Sequence, residues 1–170
     1  MVKDPRVKTA QRAFDQQFAL LRALYAKVSA LNEAVNRIRL YKRQLRELAQ
    51  PLGEGAVART AKDAGALRDR VTALQAKLEV IEALLVDVKR ESPRDVLRHP
   101  AGLNDTLFDL ISVVAIADEA PTSPALQVSE EIMAKVEAQI TQLEVVATGE
   151  LADLNGALRA AGVQALGAPV

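Results

Sequence analysis

Leu67, Val71, Leu74, Leu78, Ile81, Leu85 and Val88 alternate steps of four and three without a fault. On an α-helix that spacing stacks side chains along one stripe. It is also a heptad seam, by which one helix packs along another at a shallow angle. A seam of this kind demands apolar stripes elsewhere in the chain, and three more are present. Phe14, Phe18, Leu21, Tyr25, Val28, Leu31, Val35, Ile38, Tyr41, Leu45 and Leu48 form the longest. Leu103, Leu107, Leu110, Ile111, Val114 and Ala117 form a shorter one. The last comprises Ile132, Val136, Ile140, Leu143, Ala147, Leu151, Leu154 and Leu158. It passes Gly149 in phase, which predicts one helix across that glycine at a cost of about 1 kcal/mol relative to Ala. β-Branched residues nowhere alternate with polar ones long enough to predict a strand.

The breaks fall between the stripes. Pro51, Gly53 and Gly55 interrupt the chain after the first. Ser92-Pro93-Arg94-Asp95 reads as a helix start, with Ser capping and Pro at the first helical position. His99-Pro100 closes that short turn. Glu119-Ala120-Pro121-Thr122-Ser123-Pro124 is a loop, with Ser123 the expected cap of the last helix, and Gly162 its expected end. The tail Gly167-Ala168-Pro169-Val170 is expected to fray. The predicted fold is therefore all-α: a single domain over 1–170, an antiparallel four-helix bundle with a long N-terminal helical hairpin. The expected helices cover 7–49, 57–90, a short 93–98, 102–118 and 124–161. At 1.5 Å per residue the first spans about 60 Å, more than twice the third. Part of the long hairpin is thus expected to project, dock elsewhere or pair with a second copy.

Composition narrows the chemistry. The chain has 170 residues, a hydrophobic fraction of 49%, no Cys and one His. It is too apolar to be disordered. Thiolate metal sites and cysteine nucleophiles are excluded outright. His99 lacks neighbouring donors, and Ser92, His99 and Asp95 lack the strained turn that presents a hydrolase serine. The paired acids Glu130-Glu131, Asp118-Glu119 and Asp105/Asp109 read as ordinary dipole compensation rather than as a glycosidase pair. No phosphate-binding glycine loop or acidic metal loop occurs. The expectation is no catalytic residue, no cofactor and no metal ligand, hence no enzyme. No apolar run reaches the roughly 20 residues of a membrane span, and the opening Met1-Val2-Lys3-Asp4-Pro5-Arg6 lacks the apolar core of a signal peptide.

Charge balances to zero overall but is segregated. Residues 1–100 carry 20 Lys+Arg against 12 Asp+Glu, a balance of +8, and residues 101–170 carry 2 against 10, a balance of −8. Basic helices are expected to pack beside acidic ones. Two faces of opposite sign that bind partners or assemble head to tail are the sharper alternative. Arg39, Lys42, Arg43 and Arg46 share a helix face at three- and four-residue spacing and are the candidate anion or partner site. Nucleic acid is not the expected ligand, because the only aromatic nearby for base stacking is Tyr41, whose place on the apolar stripe predicts burial. Asn155, beside Leu154, either fixes helix register as a buried polar group or faces solvent.

Asp4-Pro5-Arg6-Val7, then Ala117-Asp118 leading to Pro121-Thr122, then Asp153-Leu154-Asn155 and Gly162 occur in that order. This succession resembles the C-terminal helical region of bacterial sortilin-like, Asp-box (BNR) repeat β-propeller proteins, often called glycosyl hydrolases. The resemblance implies a periplasmic or secreted setting and a propeller upstream as packing partner. It carries over no catalytic residue, since any hydrolase site of that group belongs to the propeller. The expected function is a non-catalytic helical packing or protein-interaction module. An anion-binding adaptor and a homodimerisation module are the alternatives.

Overall fold

The computed structural model describes residues 8–53, 64–88 and 101–167. Five α-helical segments and one π-helical turn follow in order: α1 (Gln11–Gly53), α2 (Ala64–Leu85), α3 (Leu103–Ala115), α4 (Ser123–Val146), the π turn Ala147–Leu151, and α5 (Ala152–Ala160). The last three run on without a break, so the fold is an all-α bundle, with four helices among the described residues. There is no strand among the described residues. The expected short helix at 93–98, together with Ser92, Asp95 and His99, lies outside them.

Local chemistry sets the helix ends, with some shifts from expectation. α1 continues through Pro51 to Gly53. Only two helical residues follow that proline, so its missing N–H removes a single bond from the final turn. The cap of α4 is Thr122 rather than Ser123: its Oγ1 accepts from the Ala125 N–H at 3.3 Å, the bond an N-cap makes to the third helical residue. Gly162 ends α5 as expected. It has φ +70°, its N–H donates to Arg159 O, and the Val163 N–H donates to Leu158 O at 2.8 Å, which together make a Schellman close. Gly102 precedes α3 for a different reason. A Cβ there would meet the backbone of Val86 and Asp87 at 2.9 Å, so only glycine lets the two segments approach so closely.

Gly149 does lie inside a continuous helix, but in the π turn. The buried positions around it are Leu143, Val146, Leu151, Leu154 and Leu158. The step from Val146 to Leu151 is five, the repeat of an i→i+5 turn. One wide turn thus keeps the seam facing inward.

The chain divides into two compact units: unit 1 is Met1–Asn32 with Leu85–Ala138, and unit 2 is Glu33–Leu84 with Gln139–Val170. Unit 2 buries the predicted seams almost position for position. Leu67, Val71, Leu74, Leu78 and Ile81 of α2 meet the same solvent-free interior as Val35, Ile38, Tyr41, Leu45 and Leu48 of α1. Burying each such aliphatic side chain contributes about 1.5–3 kcal/mol. Val88, the last of the predicted α2 seam, lies beyond the helix and is exposed.

Unit 1 departs from the predicted stripe. Val28 and Leu31 are buried as predicted, but before them Leu20 and Leu24 are the buried pair, whereas Phe18 is 66% exposed and Tyr25 is half-exposed. The first half of α1 carries two apolar ridges at helical spacing, and periodicity alone does not rank them. Gln17 fixes the roll, its Nε2 donating to Val114 O at 2.7 Å and Ala117 O at 2.6 Å at the end of α3. The aromatic ridge is thereby turned outward.

Candidate functional site

The basic cluster on α1 is largely occupied. Glu82 of α2 is buried and lies between two of its members: Arg39 Nε donates to Oε1 and Lys42 Nζ to Oε2, each at 2.9 Å. Lys42 is only 13% exposed, so Glu82 is the partner that lets its ammonium leave water. Burial works to raise the Glu82 pKa, but the hydrogen bonds from Lys42 and Arg39 outweigh it and hold the carboxyl below its ordinary range. Arg43 and Arg46 are exposed and make no ion pair among the described residues. Of the four residues proposed for anion binding, two are paired with Glu82, the largely enclosed Lys42 and the exposed Arg39, and two carry no ion pair among the described residues.

Segregated charge is used in the same way. Lys27 meets Glu137 at 2.6 Å in unit 1, and Lys77 meets Glu150 at 2.6 Å in unit 2. Arg37 forks onto both oxygens of Glu144. That hydrogen bonding raises the guanidinium pKa against the opposing effect of burial and depresses that of Glu144. Each pair joins a base from the first hundred residues to an acid from the rest, as the charge balance predicts. Exposed pairs of this kind contribute little individually, on the order of 0–1 kcal/mol.

The acids weighed for hydrolysis do not converge on a cleft. Glu130, Glu131, Asp109, Asp118 and Glu119 are exposed. Among the described residues no group of three or more His, Asp or Glu is placed to hold a metal ion, and no helix is long and apolar enough to cross a membrane.

Two features stand out instead. The first is the outer surface of unit 1. α3 buries Leu107, Leu110, Ile111 and Val114, yet Ile116 just beyond it is 86% exposed, Val113 61%, and Phe108 is half-exposed. The helix is amphipathic, yet its polar side, with Asp109 and Ser112, also holds these apolar residues. Phe18 follows Gln17, whose amide grips the carbonyls on either side of Ile116, so the aromatic ridge of α1 reaches the same end of α3. Phe18 and Tyr25 of α1 are exposed as well, while the exposed Asp109 and Ser112 lie among the apolar side chains on the outer side of α3.

The second feature is a groove in unit 2. After Gly162 the segment Val163–Gly167 turns back, and Asn155 clips it. Asn155 Nδ2 donates to Leu166 O at 3.3 Å, and the Leu166 N–H donates to Asn155 Oδ1 at 2.7 Å. Asn155 thus faces its own chain, neither of the roles expected for it. Sequence reasoning placed it beside a seam but held no signal for a returning segment.

No protein-family description, curated protein or solved structure matches this chain.

Proposed function

We propose that the chain is a non-catalytic helical module that docks on another protein through the outward face of unit 1. One observation carries the reading: α3 is enclosed on its inner side and still presents Phe108, Val113 and Ile116 to solvent. Leaving such side chains in water is unfavourable by roughly 25 cal/mol per Å², and covering them is the available gain. An upstream β-propeller polypeptide in an extracytoplasmic setting is the partner implied by the resemblance in the termini and loops. The anion-binding reading is weaker, because Glu82 takes two of its four cations.

Sedimentation equilibrium of the wild type and of a Phe108→Ser/Val113→Ser/Ile116→Ser variant tests this, each alone and mixed with a separately expressed propeller polypeptide of the resembled group. Association with the propeller that the variant loses supports the reading. Self-association lost in the variant makes a second copy the partner. A variant indistinguishable from wild type in both settings removes the docking face.

A further inference from the structure

Asn155 treats Leu166 as a neighbouring β-strand would, donating to the carbonyl and accepting from the N–H of the same residue. Such a contact reads main chain and ignores side-chain identity. Apart from the Schellman bond at Val163, it is the hydrogen bonding that holds this segment. The groove is wider than its occupant. On the α1 side a hollow of about 440 Å³ lies between Gln44, Glu47 and Leu48 and the returning segment. On the other side a hollow of about 240 Å³ is walled by Tyr41, by Ala147 and Leu151 of the π turn, and by Asn155 and Arg159. Leu166 and Gly167 border both.

Gln44 adds a second, independent observation. Its Oε1 is buried and accepts no hydrogen bond among the described residues. Its Nε2 lies 3.5 Å from where a Cβ on Gly167 would be. A buried amide oxygen without a donor is costly, and a peptide N–H is the donor this groove is shaped to bring. Two side-chain amides, Asn155 on α5 and Gln44 on α1, therefore flank one segment, the first hydrogen-bonded to it and the second beside it with its oxygen unpartnered among the described residues.

We propose that this groove of unit 2 is a peptide-binding site that reads the main chain of an extended polypeptide through Asn155 and Gln44, and that Val163–Gly167 occupies it in cis. The ligand class follows from the lining. It is a short extended segment of small and aliphatic residues, such as the Ala-Leu-Gly seated there now, with room in the larger hollow for side chains bulkier than Ala165. A tethered occupant competes at an effective concentration near the millimolar range. The site therefore opens to a second polypeptide when the cis segment loses its clip. This inference does not depend on the docking face of unit 1, since the two involve different residues and different readouts.

Leu166→Pro removes the N–H that Asn155 accepts from while leaving Asn155 and Gln44 untouched, and it lies beyond the end of α5. The probe is the blocked pentapeptide acetyl-Val-Gln-Ala-Leu-Gly-amide, titrated into isotope-labelled full-length chain and followed by NMR. Expected are saturable shifts at Tyr41, Gln44, Leu151 and Asn155 in Leu166→Pro. Wild type should bind at least tenfold more weakly, and adding Asn155→Ala to Leu166→Pro should weaken binding at least tenfold. No saturable shift in Leu166→Pro, or equal binding after Asn155→Ala, overturns the site; equal affinity in wild type and Leu166→Pro overturns occupancy in cis. A second measurement needs no peptide. The Leu166 amide of the wild type should exchange slowly and lose that protection in Asn155→Ala, and an unprotected amide in the wild type contradicts the clip.

Discussion

The two units solve the same packing problem to different degrees. Unit 2 encloses nearly every large apolar side chain it carries, leaving only Val80, Leu84 and Val145 outside among the described residues. Unit 1 leaves Phe18, Tyr25, Val88, Phe108, Val113, Ile116, Leu126 and Val128 in contact with solvent. The buried cation Lys42 and its carboxylate also belong to unit 2. A unit with closed seams and an internal ion pair is finished by itself. Unit 1 also buries one side of α3, but leaves Phe108 and Val113 on that helix exposed. Similar helical periodicity thus closes a core in both units, but leaves more large apolar side chains exposed in unit 1 than in unit 2.

Core truncation gives the largest expected effect and should be alike in both units. Leu78→Ala in unit 2 and Leu107→Ala in unit 1 each remove a fully buried side chain. Each should cost about 2–5 kcal/mol in chemical denaturation. A loss confined to one of them would break the claim that both units have real cores.

Glu82→Gln comes next and belongs to unit 2 alone. It removes the nearer charge partner of Lys42, leaving Glu79 at 3.7 Å, and should destabilise by about 1–3 kcal/mol. The pH dependence has the same origin. Glu82 and Glu144 both have folded pKa values below the ordinary 4.5, so the folded chain resists their protonation more than the unfolded chain does. The stability they contribute is fully present above that value and is lost as pH falls through their lowered folded values. Acid titration of Glu82→Gln should show a shallower loss than wild type below pH 4.5. An unchanged acid limb would show that the carboxylate does not hold the pair.

Gly102→Ala sharpens the account of unit 1. The new methyl meets backbone of Val86 and Asp87 at 2.9 Å, which cannot rotate aside, and about 1–3 kcal/mol should be lost to overpacking. Gly149→Ala, the smallest effect, should go the other way. Nothing lies within 4 Å of its added methyl, so helix propensity predicts a gain of at most ~1 kcal/mol. A marked loss there would mean that the π turn needs glycine.

The sequence exposed the fold where a single apolar ridge ran along a helix. The α2 seam is buried from Leu67 through Leu85, and Gly162 closes α5 as its residue type dictates. It misled where two ridges coexist. Phe14-Phe18-Leu21-Tyr25 and Leu20-Leu24 both lead at helical spacing into the correctly predicted Val28 and Leu31, and a tertiary contact from Gln17 decides between them. The candidate cations were visible in the chain but not their fate, because Glu82 lies some forty residues away and reaches them only through packing. The Asn155 clip was hidden for a similar reason: a side chain that imitates a strand partner leaves no periodic trace.

The outward face of α3 is the point on which the account turns, and one comparison probes it directly. Native wild type and Phe108→Ser/Val113→Ser/Ile116→Ser are followed together for apolar dye binding and for unfolding free energy. The account predicts dye binding several-fold lower in the variant, with stability changed by less than about 1 kcal/mol, as expected of surface substitutions. Unchanged dye binding together with a loss of several kcal/mol, at the ~2–5 kcal/mol scale of core truncation, would place these side chains in the interior and contradict it.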